Sequence, residues 1–241
     1  MGWLSNAAYC IGGICVLGVA FGVALFLYQE KLLYFPTLPI KDPDDNPRGL
    51  RSPAEHGLKY EDMYMTTLDN VRIHGWLLRS SNTEKVPTIL YFHGNAGNIG
   101  MRLINAKEML QALQCNIFLV EYRGYGKSEG IPSEEGLVLD AEAALRALKE
   151  DPLARVDPDK LIVFGRSLGG AVAIAAAVEY PDQARRFWRA LVVENTFLSI
   201  SHMVDQVFPV LSGIKWLVLR LRWDSQERLK RLERPVLFFS G

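Results

Sequence analysis

The chain has 241 residues, of which 49% are apolar and 22% are charged, so its composition suits one globular domain plus a hydrophobic segment. Basic and acidic side chains number 27 each, and the formal net charge is therefore zero. This balance argues against a nucleic-acid-binding protein, which needs a basic face to neutralise phosphates. We interpret the small basic cluster Arg185, Arg186 and Arg189 as solvated surface.

The cysteines indicate neither a disulfide framework nor a metal site. Cys10 and Cys15 lie in the hydrophobic segment, and Cys115 precedes an apolar strand. No C-x-x-C or Cys/His ligand spacing occurs, so we expect no cofactor and no metal ion, and a structural role for Cys115.

The N-terminal segment is long enough to cross a membrane. Residues 7–28 contain no charged side chain, and as a helix they would span about 33 Å, against about 30 Å for a bilayer core. No basic residue precedes the segment, which is also longer than the core of a cleavable signal peptide. We therefore predict that residues 1–35 are a retained anchor in the lipid bilayer, with a signal peptide or a buried core helix as alternatives. Tyr34 and Phe35 are expected at the membrane interface.

Basic residues follow this segment and none precedes it, which favours a cytosolic position for the remainder of the chain. The four that follow are Lys31, Lys41, Arg48 and Arg51. The absence of an N-x-[ST] sequon agrees with that side.

Proline and then regular alternation divide the rest of the chain. Residues 36–57, here called the Pro-rich segment, carry five prolines and are predicted to be a linker, because proline disfavours helix. Residues 58–241 are predicted to fold as one α/β domain with a mainly parallel sheet covered on both faces. Predicted strands are residues 60–67, 71–79, 87–92, 116–122, 160–164, 189–194 and 235–240. Predicted helices are residues 99–113, 133–150, 168–179 and, interrupted at Pro209 and Gly213, 198–221.

The segment LIVFGRSLGG, residues 161–170, is an apolar strand, a G-x-S-x-G turn and the start of a small-residue helix. This order is typical of the nucleophile elbow of α/β-hydrolases, in which glycines allow strand and helix to pack closely around an exposed serine. We predict Ser167 as the nucleophile and the backbone N–H of Leu168 as one oxyanion donor.

Two glycine-rich loops follow strands at the same predicted end of the sheet. The first loop, within the motif FHGNAGN, lies where α/β-hydrolases supply a second oxyanion amide, which we assign to Asn95. His93 is interpreted as a residue that shapes this loop. The loop EYRGYGKSEG is expected to wall the pocket, and a direct catalytic role for Arg123 or Tyr125 is the alternative.

The motifs FHGNAGNIG, EYRGYGKSEG, FGRSLGGAVAI and VENTFLSI, behind one anchor, resemble those of a family of membrane-anchored α/β-hydrolases. This family includes α/β-hydrolase domain-containing protein thirteen and the plant wavy-growth and bud-emergence-type proteins. The resemblance implies a serine hydrolase acting on ester or thioester substrates, such as acylated proteins or lipids. It also implies a domain on the non-cytosolic side, which conflicts with the charge pattern.

A serine nucleophile needs a histidine base and an acid, which in this fold usually follow the serine. The family carries both after the last predicted strand, and neither position exists in this chain. We therefore expect a C-terminally truncated hydrolase domain, lacking its last strand and helix, that is inactive or impaired. A triad of Ser167, His202 and Asp205 or Glu194 is one alternative. A noncatalytic, membrane-tethered binding or regulatory protein and an inert fragment are others; the pattern leaves the oligomeric state open.

Overall fold

The computed structural model describes residues 2–150, 154–180 and 188–240. Arg185 and Arg186 of the basic cluster lie outside these ranges. The first helix, α1, runs over Gly2–Leu33 and includes the predicted anchor. Within α1, Val16–Leu33 is apolar enough and long enough to cross a membrane, and only 6% of it is buried.

One sheet of seven strands forms in the described part of the chain. The strands are Tyr60–Thr66 (β1), Arg72–Leu78 (β2), Thr88–Phe92 (β3), Asn116–Glu121 (β4), Leu161–Arg166 (β5), Trp188–Glu194 (β6) and Val236–Phe239 (β7). Their order is β1-β2-β4-β3-β5-β6-β7. The pairs β1–β2 and β2–β4 are antiparallel, and all other neighbours are parallel. The predicted hairpin and the mainly parallel sheet are confirmed.

Six described helices follow α1, three between β3 and β6 and three between β6 and β7. They are Leu103–Leu113 (α2), Glu134–Glu150 (α3), Leu168–Glu179 (α4), Ile200–Val207 (α5), Lys215–Val218 (α6) and Ser225–Leu229 (α7). Short 3-10 turns occur at Pro43–Asp45, Pro53–His56, Ile99–Arg102, Pro158–Lys160 and Pro209–Leu211. The predicted break at Pro209 and Gly213 separates α5 from α6. Residues 200–221 are here called the cap segment. The five-residue helix α7 was not predicted.

The sheet has a hydrophobic core on each face, as the alternation of buried strand residues requires. In β3, Leu90 and Phe92 face the larger core, which packs against α3 and α4. Ile89 and Tyr91 face the smaller core, which packs against α2. The carboxyl ends of the parallel strands therefore meet at one edge of a sheet that is covered on both faces.

The Pro-rich segment is hydrogen-bonded to the loop after β3. Gly97 N donates to Leu38 O at 2.7 Å, and Asn98 Nδ2 donates to Ile40 O at 3.1 Å. Asn46 and Asn98 are both fully buried and bond to each other through their side chains at 2.8 Å. These contacts give the segment a definite path across the domain, although its regular structure is limited to two short 3-10 turns.

The expectation that Tyr34 lies at the membrane interface is wrong. Only 4% of Tyr34 is exposed, and its hydroxyl accepts a hydrogen bond from Trp223 Nε1 at 2.9 Å. Burial raises the pKa of this phenol above its ordinary value. The indole supplies the partner that water would otherwise provide, so the ring can enter the core, whereas Phe35 stays at the surface.

Two glycines let α4 approach the sheet at backbone distance. A Cβ at Gly165 in β5 would overlap the carbonyl oxygen of Gly169, and a Cβ at Gly169 would overlap that of Phe92. The backbones of β3, β5 and α4 therefore meet without intervening side chains. Any larger residue at these positions must push the helix away from the sheet.

We predict that Gly169→Ala destabilises the domain by about 1–3 kcal/mol, although alanine normally favours helix, because the added methyl overlaps backbone atoms. Thermal melts in detergent, followed by circular dichroism, measure the effect. Gly213→Ala is the matched control, since a Cβ there meets no atom within 4 Å. Equal melting temperatures for the two variants would refute the close approach.

Candidate active site

Ser167 forms the turn between β5 and α4. Its backbone angles are φ +54° and ψ −119°, and such a positive φ is rare for a residue other than glycine and clusters at functional sites. Ser167 N donates to Glu194 O, and Ser167 O accepts from Gly170 N and Thr196 Oγ1, each at 2.9 Å. These bonds hold the strained conformation. The half-buried hydroxyl makes no hydrogen bond to another described residue.

The two predicted oxyanion donors belong to segments that border Ser167. Leu168 is the first residue of α4, so its N–H has no acceptor within the helix. Asn95 lies in the loop after β3, and its neighbour Gly94 adjoins the elbow: a Cβ at Gly94 would lie 3.7 Å from Ser167 Cβ. This arrangement suits two amides that converge on one oxygen atom, and their role as donors stays a prediction.

The Asn95 side chain ties the loop to the end of α1. Its Oδ1 accepts from Tyr125 Oη at 3.0 Å and from Phe35 N at 3.3 Å, and its Nδ2 donates to Leu33 O. A β-bridge between Phe35 and Ala96 adjoins these bonds. Burial raises the pKa of Tyr125 above its ordinary value, so the phenol stays protonated as a donor. The end of α1 and the candidate oxyanion loop are thus joined directly.

His93 is fully buried beneath the same loop. Its Nδ1 donates to Gly94 O at 2.7 Å, and Tyr122 Oη donates to His93 O at 2.9 Å. On its other side, His93 Nε2 lies 3.4 Å from the fully buried carboxylate of Glu121. These contacts agree with the interpretation that His93 shapes the loop rather than accepts a proton from Ser167.

The remaining histidines of the chain all lie within the described ranges, and none of them is bonded to Ser167. His56 Nε2 donates to Gly49 O at 2.6 Å. His74 is buried in β2, and its Nε2 lies 2.8 Å from an Asp62 oxygen. His202 is exposed on α5. None of the four imidazoles makes a hydrogen bond with the Ser167 hydroxyl.

The acids of the alternative triad are engaged elsewhere. Asp205 pairs with Lys215, whose hydrogen bond lowers the pKa of the carboxyl. A Glu194 oxygen lies 3.7 Å from Arg166 Nε. The structure therefore does not assemble a triad of Ser167 and His202 with either acid.

Arg123 makes ion pairs that hold the loop after β4 in place. Its guanidinium bonds to Asp140 at 2.9 Å and to Asp69 at 2.7 Å. The hydrogen bond from Arg123 lowers the pKa of Asp69 to about 2. This network fixes the loop after β4 against the β1–β2 hairpin, and it leaves the alternative of a catalytic Arg123 without support.

Two polar residues join distant segments in ways that the sequence did not predict. Gln29 Oε1 accepts from Arg220 N at 2.7 Å and Leu221 N at 2.8 Å, which fastens α1 to the cap segment. Glu134 in the first turn of α3 accepts from Trp223 N at 2.9 Å. The sequence feature that could have indicated the Gln29 contact is its position as the first polar side chain after the uncharged segment.

Comparison with known proteins identifies the family. The sequence model described as "Serine aminopeptidase, S33" matches residues 83–236. The α/β-hydrolase domain-containing protein WAV2 of Arabidopsis thaliana is 41% identical over 255 residues, covering 99% of this chain and 77% of WAV2. The chain belongs to the α/β-hydrolase family. Protein bem46 of Schizosaccharomyces pombe is 39% identical over 248 residues, covering 100% of this chain and 79% of bem46.

Other similarities agree with this membership of the α/β-hydrolases. The membrane protein YNL320W of Saccharomyces cerevisiae, itself uncharacterized, is 32% identical, covering 96% of this chain and 77% of that protein. An α/β-hydrolase from Vibrio vulnificus superposes with a TM-score of 0.63 at 23% identity, covering 77% of this chain and 64% of that one. The esterase Pf2001 of Pyrococcus furiosus superposes with a TM-score of 0.59 at 21% sequence identity, covering 78% of this chain and 70% of the esterase. The predicted family and fold are confirmed.

We predict that Asn95→Ala loosens the junction between α1 and the loop, because Phe35 N, Leu33 O and the Tyr125 hydroxyl all lose a partner. Hydrogen exchange at Gly97 N–H, which bonds to Leu38 O, should accelerate, with a stability loss of about 1–3 kcal/mol. Tyr125→Phe removes one of these bonds and should have a smaller effect. Unchanged exchange at Gly97 in Asn95→Ala would contradict the junction.

Proposed function

We propose that this protein is a membrane-anchored serine hydrolase of ester or thioester substrates, either acylated proteins or lipids, with Ser167 as the nucleophile. The observation that carries the proposal is the strained Ser167 turn, with φ +54° at the junction of β5 and α4. A strained φ is retained where function requires it, and here it directs the serine toward the end of the sheet. The apolar α1 and the membrane protein among the relatives support the anchoring.

The proposed chemistry is acyl transfer. Ser167 Oγ attacks the carbonyl carbon, and the electron pair of the carbonyl moves onto its oxygen, which would accept hydrogen bonds from Leu168 N and Asn95 N. The C–O or C–S bond then breaks, the alcohol or thiol leaves with a proton, and an ester to Ser167 remains. Water hydrolyses this ester and restores the serine.

The described residues place no base beside Ser167 to activate its hydroxyl. A serine hydroxyl is a weak nucleophile until a base takes its proton. Three of the four imidazoles bond to other groups, and the fourth, that of His202, is exposed and makes no hydrogen bond to Ser167. In subtilisin, loss of the histidine alone lowers kcat by about 10⁶. We therefore propose that the chain as given reacts very slowly with ester substrates, although its nucleophile and amides are positioned for attack.

The lack of an imidazole bonded to Ser167 also favours a second candidate function. A chain that holds the hydrolase pocket without activating Ser167 would act as a membrane-tethered binding or regulatory protein. The two functions differ in one measurable property, namely whether the wild-type chain turns over an ester. The family description "Serine aminopeptidase" also makes amides a comparison substrate for that assay.

We predict that Ser167→Cys is acylated by p-nitrophenyl butyrate where the wild-type chain is not. A cysteine needs no external base, because part of it is thiolate at neutral pH, and a helix N-terminus increases that fraction. Release of p-nitrophenolate should show a burst of about one equivalent per chain, because one acyl group occupies the site. Peptide-resolved mass spectrometry assigns the acyl group to its residue.

Ser199→Cys is the matched control, because Ser199 is half-buried and is the N-cap of α5. The Ser167→Cys burst should be at least about 10²-fold faster, the contribution typical of an oxyanion donor. Cys115 adds little background, since burial raises the pKa of its thiol to about 11. Equal rates for the two variants would refute the proposed site, and rapid wild-type turnover would refute the impaired activation.

A further inference from the structure

An apolar cavity of about 360 Å³ lies between α1 and the cap segment. Phe21, Leu25 and Leu32 of α1 line one wall, and Met203 and Val204 of α5 line another. The volume is within the range of ligand-binding cavities, roughly 300–1,000 Å³. Phe21 and Leu25 belong to the uncharged part of the helix that can cross a membrane, so this part of the wall is at the depth of lipid hydrocarbon when α1 spans. Leu32 follows Glu30 and Lys31 and lies nearer the membrane surface.

The polar side chains of the lining are already engaged with protein groups. Gln29 Oε1 accepts from Arg220 N at 2.7 Å, and Gln29 Nε2 donates to Val218 O at 3.2 Å. Lys215 Nζ bonds to the Asp205 carboxylate. The cavity therefore offers hydrocarbon surface to a ligand, which suits an unbranched acyl chain and disfavours a polar molecule.

The cavity has a buried side and an exposed side. Ile200 and Leu221 on the buried side lie among the side chains of the larger core. Phe21, Leu32 and Phe208 on the exposed side are each more than half exposed. A chain would thus enter from the surface of α1 and extend toward the interior of the domain.

Beyond Phe208, the cap segment exposes a further apolar surface that is continuous with α1. Val210, Trp216 and Leu217 are 91%, 76% and 58% exposed. A Cβ at Gly22 of α1 would lie 3.7 Å from Val218, the last residue of α6. Exposed apolar surface of this kind marks a membrane or protein contact, and tryptophan is enriched at membrane interfaces. Continuity with the spanning part of α1 identifies the bilayer as the contact.

Two connections relate the cavity to Ser167. Leu33 lines the cavity, and its carbonyl accepts from Asn95 Nδ2 in the candidate oxyanion loop. At the other wall, α5 begins four residues after Thr196, whose hydroxyl bonds to Ser167 O. Both walls of the cavity are therefore attached to the segments that position the nucleophile.

We propose that this cavity binds the acyl chain of a membrane lipid drawn from the leaflet around α1, so that the anchor helix forms part of the substrate site. The role of this lipid as a substrate rests on the proposed hydrolase function. Binding of the acyl chain does not require that Ser167 react. The ligand is a long fatty acyl chain, and its source is a bilayer lipid rather than an acylated protein, because the exposed side of the cavity runs along the spanning helix.

The test reconstitutes the full chain in phosphatidylcholine nanodiscs that contain phosphatidylcholine with a diazirine in one acyl chain. After irradiation, mass spectrometry locates the cross-links. We expect cross-links at Ile200 and Met203, which lipids of the surrounding bilayer do not reach. Val204→Trp fills the cavity and should lose these cross-links, whereas Val210→Trp, the same change at an exposed position, should keep them.

Leu25→Trp fills the cavity from α1 and should also lose the cross-links at Ile200 and Met203. This variant replaces Val204→Trp if Val204→Trp does not fold. Retention of the cross-links in a folded cavity-filling variant, or their absence from the wild-type chain, would overturn the proposal. In a separate experiment, a palmitoylated peptide carries the same diazirine in its acyl chain. If only the peptide labels the cavity, the ligand comes from an acylated protein, and the proposal of a bilayer lipid is refuted. Ser167→Ala should cross-link like the wild type, so failure of the hydrolase proposal is seen separately in the Ser167→Cys acylation assay.

Discussion

The close approach of β5, β3 and α4 is the constraint on which the rest of the site depends. With glycine at 165 and 169, the first turn of α4 lies directly against the backbone of the sheet. The chain must then reverse within one residue, and Ser167 adopts φ +54° to do so. The same contact brings the loop after β3 to the elbow, so one packing requirement sets the positions of the candidate nucleophile and of both candidate amides.

The N-terminal helix takes part in this arrangement rather than only tethering it. Asn95 bonds the end of α1 to the candidate oxyanion loop, Gln29 bonds it to the cap segment, and Tyr34 reaches Trp223 in the core. Each bond satisfies a polar group that burial would otherwise leave unpaired. The apolar helix α1 and the geometry around Ser167 are therefore mechanically linked.

Local patterns predicted the sheet and the elbow because both depend on short-range features. Strand ends were within one or two residues of their predicted positions, and Ser167, Leu168 and Asn95 lie at the junctions that their motifs indicate. The junction bonds were not predictable, since Gln29 and Arg220 lie far apart in sequence and no periodicity relates them. Tyr34 was placed wrongly because an aromatic residue after an apolar segment has the same local pattern at an interface and in a core.

The geometry around Ser167 is tested most directly by a crystal structure of the Ser167→Cys variant carrying a butyryl thioester. The account predicts that the carbonyl oxygen of the acyl group lies about 2.7–3.1 Å from both Leu168 N and Asn95 N, the distances expected of oxyanion donors. A carbonyl oxygen that points to solvent, with either amide bonded elsewhere, would contradict it.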